Sequence, residues 1–336
     1  MAPTKVEQIN HICFVILAAA AVTAGLIYTR SVMVLFVFSF FLYTVLSTGI
    51  GLISTFVNVR RWISISLMML IIFLMTFLLV AMMSNSIEEF VRGAKQYQDK
   101  ILEFGSWVES LAAKYGFNMK GSVTNQLSEL PIFSYVQGLT TGIIGFFGKT
   151  FLVFIMTLFL ILGNKKSDIN NTLLDEIHSK ISKYITIKTI LSLATGVLAF
   201  FVMSLFQVEL AFMFGVLTFL LNFIPSIGSV IATLLPMPVV FLQYDASGKT
   251  LLILILLSVI QLVIGNVLEP KLLGERLDLH PVTVLVFLLF WGLVWGVPGM
   301  FLAVPLTAIL KIVLSQIDST QGIAQLLAGR IPNSHV

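Results

Sequence analysis

Residues 216–242 read VLTFLLNFIPSIGSVIATLLPMPVVFL, an apolar run without a single charge. It is too long for one bilayer crossing, which takes about 20 helical residues. It also carries its own interruption: Asn222, Pro225 and Gly228 break the run, and Pro236 and Pro238 punctuate its second half. Proline removes a backbone donor and collides with the turn before it, while glycine tolerates the geometry that results. Residues 284–310, VLVFLLFWGLVWGVPGMFLAVPLTAIL, repeat the plan. The shared frame is VLxFLL, followed by a break through Trp291, Trp295, Gly296, Pro298 and Gly299 and then a helix containing Pro305. Broken backbone at membrane depth must be enclosed by protein or line a watery cavity, and paired interruptions point to a transporter's binding site. A pair of ordinary kinked helices fits the pattern equally.

The rest of the chain is of one kind with these stretches. Of its 336 residues, 58% are hydrophobic and 11% charged, and the mean hydropathy is +1.01. A soluble domain averages about 25% charged residues, so the charge present cannot cover a water-facing surface of this size. Hydrophobic segments run roughly over 9–28, 32–57, 62–83, 139–163, 185–206, 210–242, 250–268 and 280–310. Each can cross about 30 Å of hydrocarbon, and backbone groups in lipid must be bonded within their segment, so the spans are helices. The expected fold is all-α: a polytopic transmembrane protein of about eight spans, two of them discontinuous or hairpin-like, plus an amphipathic extramembrane helical segment. Ile9 to Tyr28 is span-length, longer than the roughly 7–15 residues of a signal-peptide core, and reads as an uncleaved first helix.

Several function classes drop out. The formal charge of +4 would suit a nucleic-acid binder, but the basic residues sit between apolar segments, as in cytoplasmic loops. Nucleic acid is therefore not an expected partner; the lipid bilayer is. Cys13 is the single cysteine, which excludes an internal disulfide and a thiolate cluster. His11, His178, His280 and His335 show no ligand spacing. Gly148-Lys149-Thr150 and Gly248-Lys249-Thr250 resemble the end of a phosphate-binding loop, but the glycine required upstream is replaced by Ile143 and Gln243. HExxH and GxSxG are absent. No catalytic residue, metal or cofactor is expected, and the chain is not read as an enzyme.

Loop charges set the orientation. Arg60 and Arg61 lie between the second and third spans, and Lys165, Lys166, Lys180, Lys183 and Lys188 follow the fourth. A cytoplasmic N-terminus puts both groups inside and the mildly acidic segment 84–138 outside. In that segment Ile87, Phe90, Ala94, Tyr97, Ile101, Phe104, Val108 and Leu111 recur in steps of three and four, which puts them on one stripe of a helix. The stripe fits packing within one subunit and contact between subunits alike. The expected organisation is 1–83 N-terminal membrane helices, 84–138 extramembrane helix and 139–336 transport core. Within that core, 164–183 reads as an amphipathic cytoplasmic linker.

Inside the spans, polar residues are few. Gln261 and Asn266 are amides in an apolar run, where an unpaired polar group is costly. Glu269 ends that run ahead of Pro270. It can bind a cation, carry a proton, or pair with Lys271 or Arg276, the plain ion pair being the reading favoured for a charge at a helix end. Gly138, Gly142, Gly145 and Gly148 allow close helix approach in the fourth span.

At the level of motifs, NFIPSIGS at 222–229 and GNVLEPKLLG at 265–274 resemble the hallmark segments of the autoinducer-2 exporter family. FWG at 290–292 and PGMFLAVP at 298–305 are similar to it as well. The resemblance covers nearly the whole chain and is strongest from Tyr184 to Gln316, on the side of the quorum-signal branch. The chain departs from the family in having no proline over 31–61. The resemblance implies a secondary transporter of the bacterial inner membrane that exports the small polar signal autoinducer-2 without ATP. It further implies a homo-oligomer, a pentamer. Other members of the family imply sodium or lithium/proton exchange as the alternative, with a monovalent cation as cargo. A non-transporting oligomeric scaffold is the third reading. The pathway residues singled out are Asn222, Pro225, Gly228, Gln261, Asn266, Glu269, Pro270, Trp291, Trp295, Pro298 and Gly299. For the oligomer interface they are Ile87, Phe90, Tyr97, Ile101, Phe104, Val108 and Leu111.

Overall fold

The computed structural model describes residues 5–57, 61–116, 121–128, 132–163, 172–245, 247–273 and 277–330. Among them there is no strand. In chain order the α-helices are α1 (Lys5–Tyr28), α2 (Arg30–Val57), α3 (Arg61–Lys114), α4 (Ser122–Ser128) and α5 (Ile132–Gly163). Then come α6 (Thr172–Leu205), α7 (Ala211–Leu221), α8 (Ile227–Leu234), α9 (Met237–Tyr244) and α10 (Gly248–Gln261). A π-helical turn, Leu262–Leu268, precedes α11 (Glu269–Leu273), and α12 (Pro281–Trp295), α13 (Val297–Ser315) and α14 (Gln321–Leu327) complete the chain. Six of the described helical stretches are long and apolar enough to cross a membrane, and four shorter helices are apolar too.

Large apolar side chains cover the outside of the helices as well as their core. Phe77, Phe159, Phe201 and Leu293 are 62–86% exposed, whereas Ser39, Thr157, Ser192 and Thr195 are fully buried. Large apolar side chains normally lead the buried set, so these outer faces are built for lipid, with hydroxyls turned inward.

The chain forms two compact units. The first comprises Met1–Gly49, Leu152–Ile187 and Glu275–Val336. Here α1 runs into α2 almost without a gap, Thr29 N–H donating to Gly25 O at 2.9 Å. Small hydroxyl residues bring α2 against α5: Ser39 donates to Val153 O and Thr157 to Ser39 O, both at 3.2 Å. Phe301 of α13 packs its ring on Phe38 and Phe41.

The second unit comprises Ile50–Phe151 and Lys188–Gly274. Its core gathers Met83, Ala199, Met203, Phe214, Val240 and Ile253. Gln243 ties the end of α9 to the turn after α6, donating to Gln207 O and accepting from Glu209 N–H. The 54 residues of α3 make a helix about 80 Å long, so the apolar span at its start and the stripe from Ile87 onward lie on one continuous rod. Glu109 on that rod caps α4, accepting from the N–H groups of Gly121 and Thr124 at 2.9 and 2.8 Å. Of the stripe, the side chains of Ile87, Phe90, Tyr97, Ile101 and Phe104 lie outside the described ones. Val108 is half-buried and Leu111 exposed.

Candidate functional site

In the second unit the interruption falls where the Asn/Pro/Gly run places it. α7 ends at Leu221 and α8 starts at Ile227, leaving a five-residue turn, 222–226. Ser226 sits at φ 58°, ψ −56°, a conformation that costs a non-glycine residue of order 1–3 kcal/mol. Gly228 lies so close to Leu221 O that a Cβ there would collide with the backbone. A second glycine pair brings α7 onto α6: a Cβ on Gly196 would meet Gly215 O at 2.7 Å.

That close approach exposes α7 to a polar stripe on α6. Lys188, Ser192 and Thr195 succeed one another at spacings of four and three, hence on one face, and all are buried. The buried Asn222 amide donates to Ser192 Oγ at 3.1 Å. One turn away, Lys188 Nζ meets Glu269 Oε1 at 2.5 Å. The lysine side chain is 3% exposed and the glutamate 22%. Beyond Thr195, Thr218 of α7, Thr233 of α8 and Gln261 of α10 line a gap too narrow for a water molecule. Gln261 Oε1 there is buried without a hydrogen-bond partner among the described residues.

The π-helical turn arises from Pro270. Its ring would collide with the carbonyl four residues back, and it has no N–H to give. The helix widens instead, with Glu269 N–H bonding to Ile264 O five residues away. Single π turns of this kind are frequent at functional sites.

The structure corrects two readings. Lys188 is not a loop cation: α6 is continuous from Thr172 to Leu205, and its buried face holds the lysine. Glu269 is ion-paired, but with Lys188, because Lys271 points to the exposed side; Arg276 lies outside the described residues. Asn222, Gln261 and Glu269 are thus gathered around the α6 stripe, while Pro225 lies in the turn and Gly228 against Leu221. Asn266 and Pro270 are exposed and do not join them. Lys188, Ser192, Thr195 and Thr218 were missed by sequence reasoning. For Lys188, Ser192 and Thr195 the available signal was their spacing inside the apolar run 185–206; Thr218 lies outside it.

The remaining candidates belong to the first unit. α12 turns into α13 at Gly296, whose φ of 70° and ψ of −148° are open essentially to glycine alone. Gly299 then packs on Trp291 O as Gly228 packs on Leu221 O, leaving no room for a Cβ. Each unit therefore holds a hairpin whose second helix opens with a glycine laid on a carbonyl of the first. The Trp291 and Trp295 rings pack at a tilt of 45°, their centroids 5.1 Å apart. Trp295 Nε1 donates to Leu26 O at 3.1 Å, while Trp291 Nε1 is buried without a hydrogen-bond partner among the described residues. Pro298 is half-buried in the first turn of α13.

Chemically, the second-unit site offers amides and hydroxyls around one internally neutralised ion pair. Such groups hold an uncharged polar molecule by hydrogen bonds. Among the described residues no group of His, Cys, Asp and Glu could hold a metal ion.

The AI-2E transporter family matches residues 14–319. The AI-2 transport protein TqsA of Escherichia coli (strain K12) is 30% identical over 319 residues, 91% of this chain and 92% of its own. A protein of Haemophilus influenzae is 29% identical, covering 93% of this chain and 94% of its own. YhhT of Escherichia coli (strain K12) is 26% identical, covering 97% and 96%.

Proposed function

We propose, from the premise that this chain belongs to the AI-2E transporter family, that it is a secondary carrier exporting a small uncharged polar solute, the signal autoinducer-2. That the molecule is a multi-pass membrane transporter rests on the family and on its apolar helices. The substrate is argued from the buried stripe of Ser192, Thr195, Thr218, Asn222 and Gln261, the single observation that carries the reading. These groups offer donors and acceptors but no net charge, which suits a polyol-like solute. The name of the relative TqsA supports the same substrate. The carrier sits in the bacterial inner membrane with its N-terminus in the cytoplasm, since the remaining loop lysines and arginines then lie inside. It works as a homo-oligomer, a pentamer, joined along the α3 stripe that Val108 and Leu111 continue.

Exchange of sodium or lithium for protons is the second reading, favoured by one observation: Glu269 is a carboxylate inside an apolar helical stretch, Gly248–Leu273. Its pairing with Lys188 weighs against that reading, because the carboxylate is already neutralised.

Purified protein in proteoliposomes separates the two. Labelled autoinducer-2 should cross faster than in empty vesicles, while a sodium gradient should move no protons. Proton flux driven by sodium, with no flux of the signal, would reverse the assignment.

A further inference from the structure

Lys188 stands out because a cation in the apolar part of a membrane protein is costly and is functional by default. Its ammonium donates to Glu269 Oε1 and forms an ion pair with it; an ionised donor and an ionised acceptor make this a charge-assisted hydrogen bond. Among the described residues Glu269 is its ion-pair partner. Glu269 begins α11, directly after the π-helical turn, and Pro270 supplies no N–H to the carbonyls of that turn. Carboxylate and carbonyl oxygens thus lie along one stretch, which is what a small hard cation seeks. The position a cation would take beside the carboxylate is where the lysine ammonium already sits.

We propose that Lys188 is the specificity-determining residue of the carrier. Its ammonium acts as a tethered cation that fills the seat beside Glu269, keeps sodium and lithium out, and leaves the adjoining stripe to uncharged polar solutes. This rests on the reading of a neutral cargo given above. Tethering gives the ammonium a high effective concentration at the carboxylate, so dissolved monovalent cations at physiological levels cannot displace it. Removing the lysine leaves the half-buried carboxylate uncompensated, and the vacated seat then accepts a cation from solution.

The test is thermal melting of purified full-length protein in sodium, lithium or choline chloride at equal ionic strength. Wild type should melt at the same temperature in all three. Lys188→Met should melt lower in choline and rise by about 2 °C for each tenfold increase of sodium or lithium. The double variant Lys188→Met/Glu269→Gln, which removes both charges, should lose that response. Cation dependence in wild type equal to that of Lys188→Met overturns the proposal, as does its absence in Lys188→Met. Should Lys188→Met be recoverable in none of the salts while the double variant folds, the seat takes no cation and the proposal also falls. Signal flux in wild type together with a cation-blind Lys188→Met refutes only this inference. Sodium-driven proton flux in wild type refutes the neutral-cargo reading beneath it.

Discussion

Asn222 is buried at the mouth of the broken helix, and its amide holds the Ser192 hydroxyl. Truncating it strips a partner from a fully buried polar group, which costs about 1–3 kcal/mol. Asn222→Ala should therefore lower the melting temperature and cut solute flux. Ser192→Ala should lower the melting temperature by a comparable amount, since it takes from the buried Asn222 amide its hydroxyl acceptor. Melting curves and flux on the two variants decide this. The polar residues of the site were unequally legible in the sequence. Asn222, Gln261 and Glu269 announced themselves, because an amide or carboxylate in an apolar run must find a partner. Lys188 did not: a lysine near the foot of a span is usually a loop charge obeying the orientation rule, and only α6's continuity removes it from that class. Thr195 stayed silent for another reason. A threonine can satisfy its hydroxyl on its own helix, here on Leu191 O at 2.8 Å, so its presence in a span demands nothing of its surroundings.

At the scale of elements, the two hairpins share a device. Gly228 and Gly299 each lie on a backbone carbonyl that cannot yield as a flexible side chain could. Gly228→Ala and Gly299→Ala should each destabilise the fold by at least the roughly 1–3 kcal/mol typical of overpacking. Gly248→Ala, where a Cβ meets open space, should be tolerated; detergent melting of the three variants provides the measurement. Both breaks were visible in advance because proline and glycine act locally. Their extent was not: the first spans five residues and the second turns on Gly296 alone. Of the amphipathic linker expected over 164–183, the residues from Thr172 onward belong to α6, which runs through Lys180 and Lys183 without a stop; no proline or glycine falls between Thr172 and Thr195. The π-helical turn left its trace in Pro270, though proline alone does not say whether a helix will end or widen.

Across the whole molecule, composition was the most informative quantity. A chain with so little charge could only face lipid, and the outward aromatic and leucine side chains together with inward hydroxyls are the structural form of that deficit. The division into two units, each assembled from distant stretches of chain, had no local signal, since it depends on which helices pack together rather than on any one of them. The central claim is that solute passes along the buried face of α6. It is tested most directly by Thr195→Cys in a Cys13→Ser background, with a small hydrophilic methanethiosulfonate reagent applied to transporting proteoliposomes. The cysteine should be modified, and modified more slowly when autoinducer-2 is present. Phe201→Cys, on the 63%-exposed outer side of the same helix, should show no such protection. A Thr195→Cys carrier that transports yet stays unmodified, or is modified at a rate the solute does not change, would contradict the account.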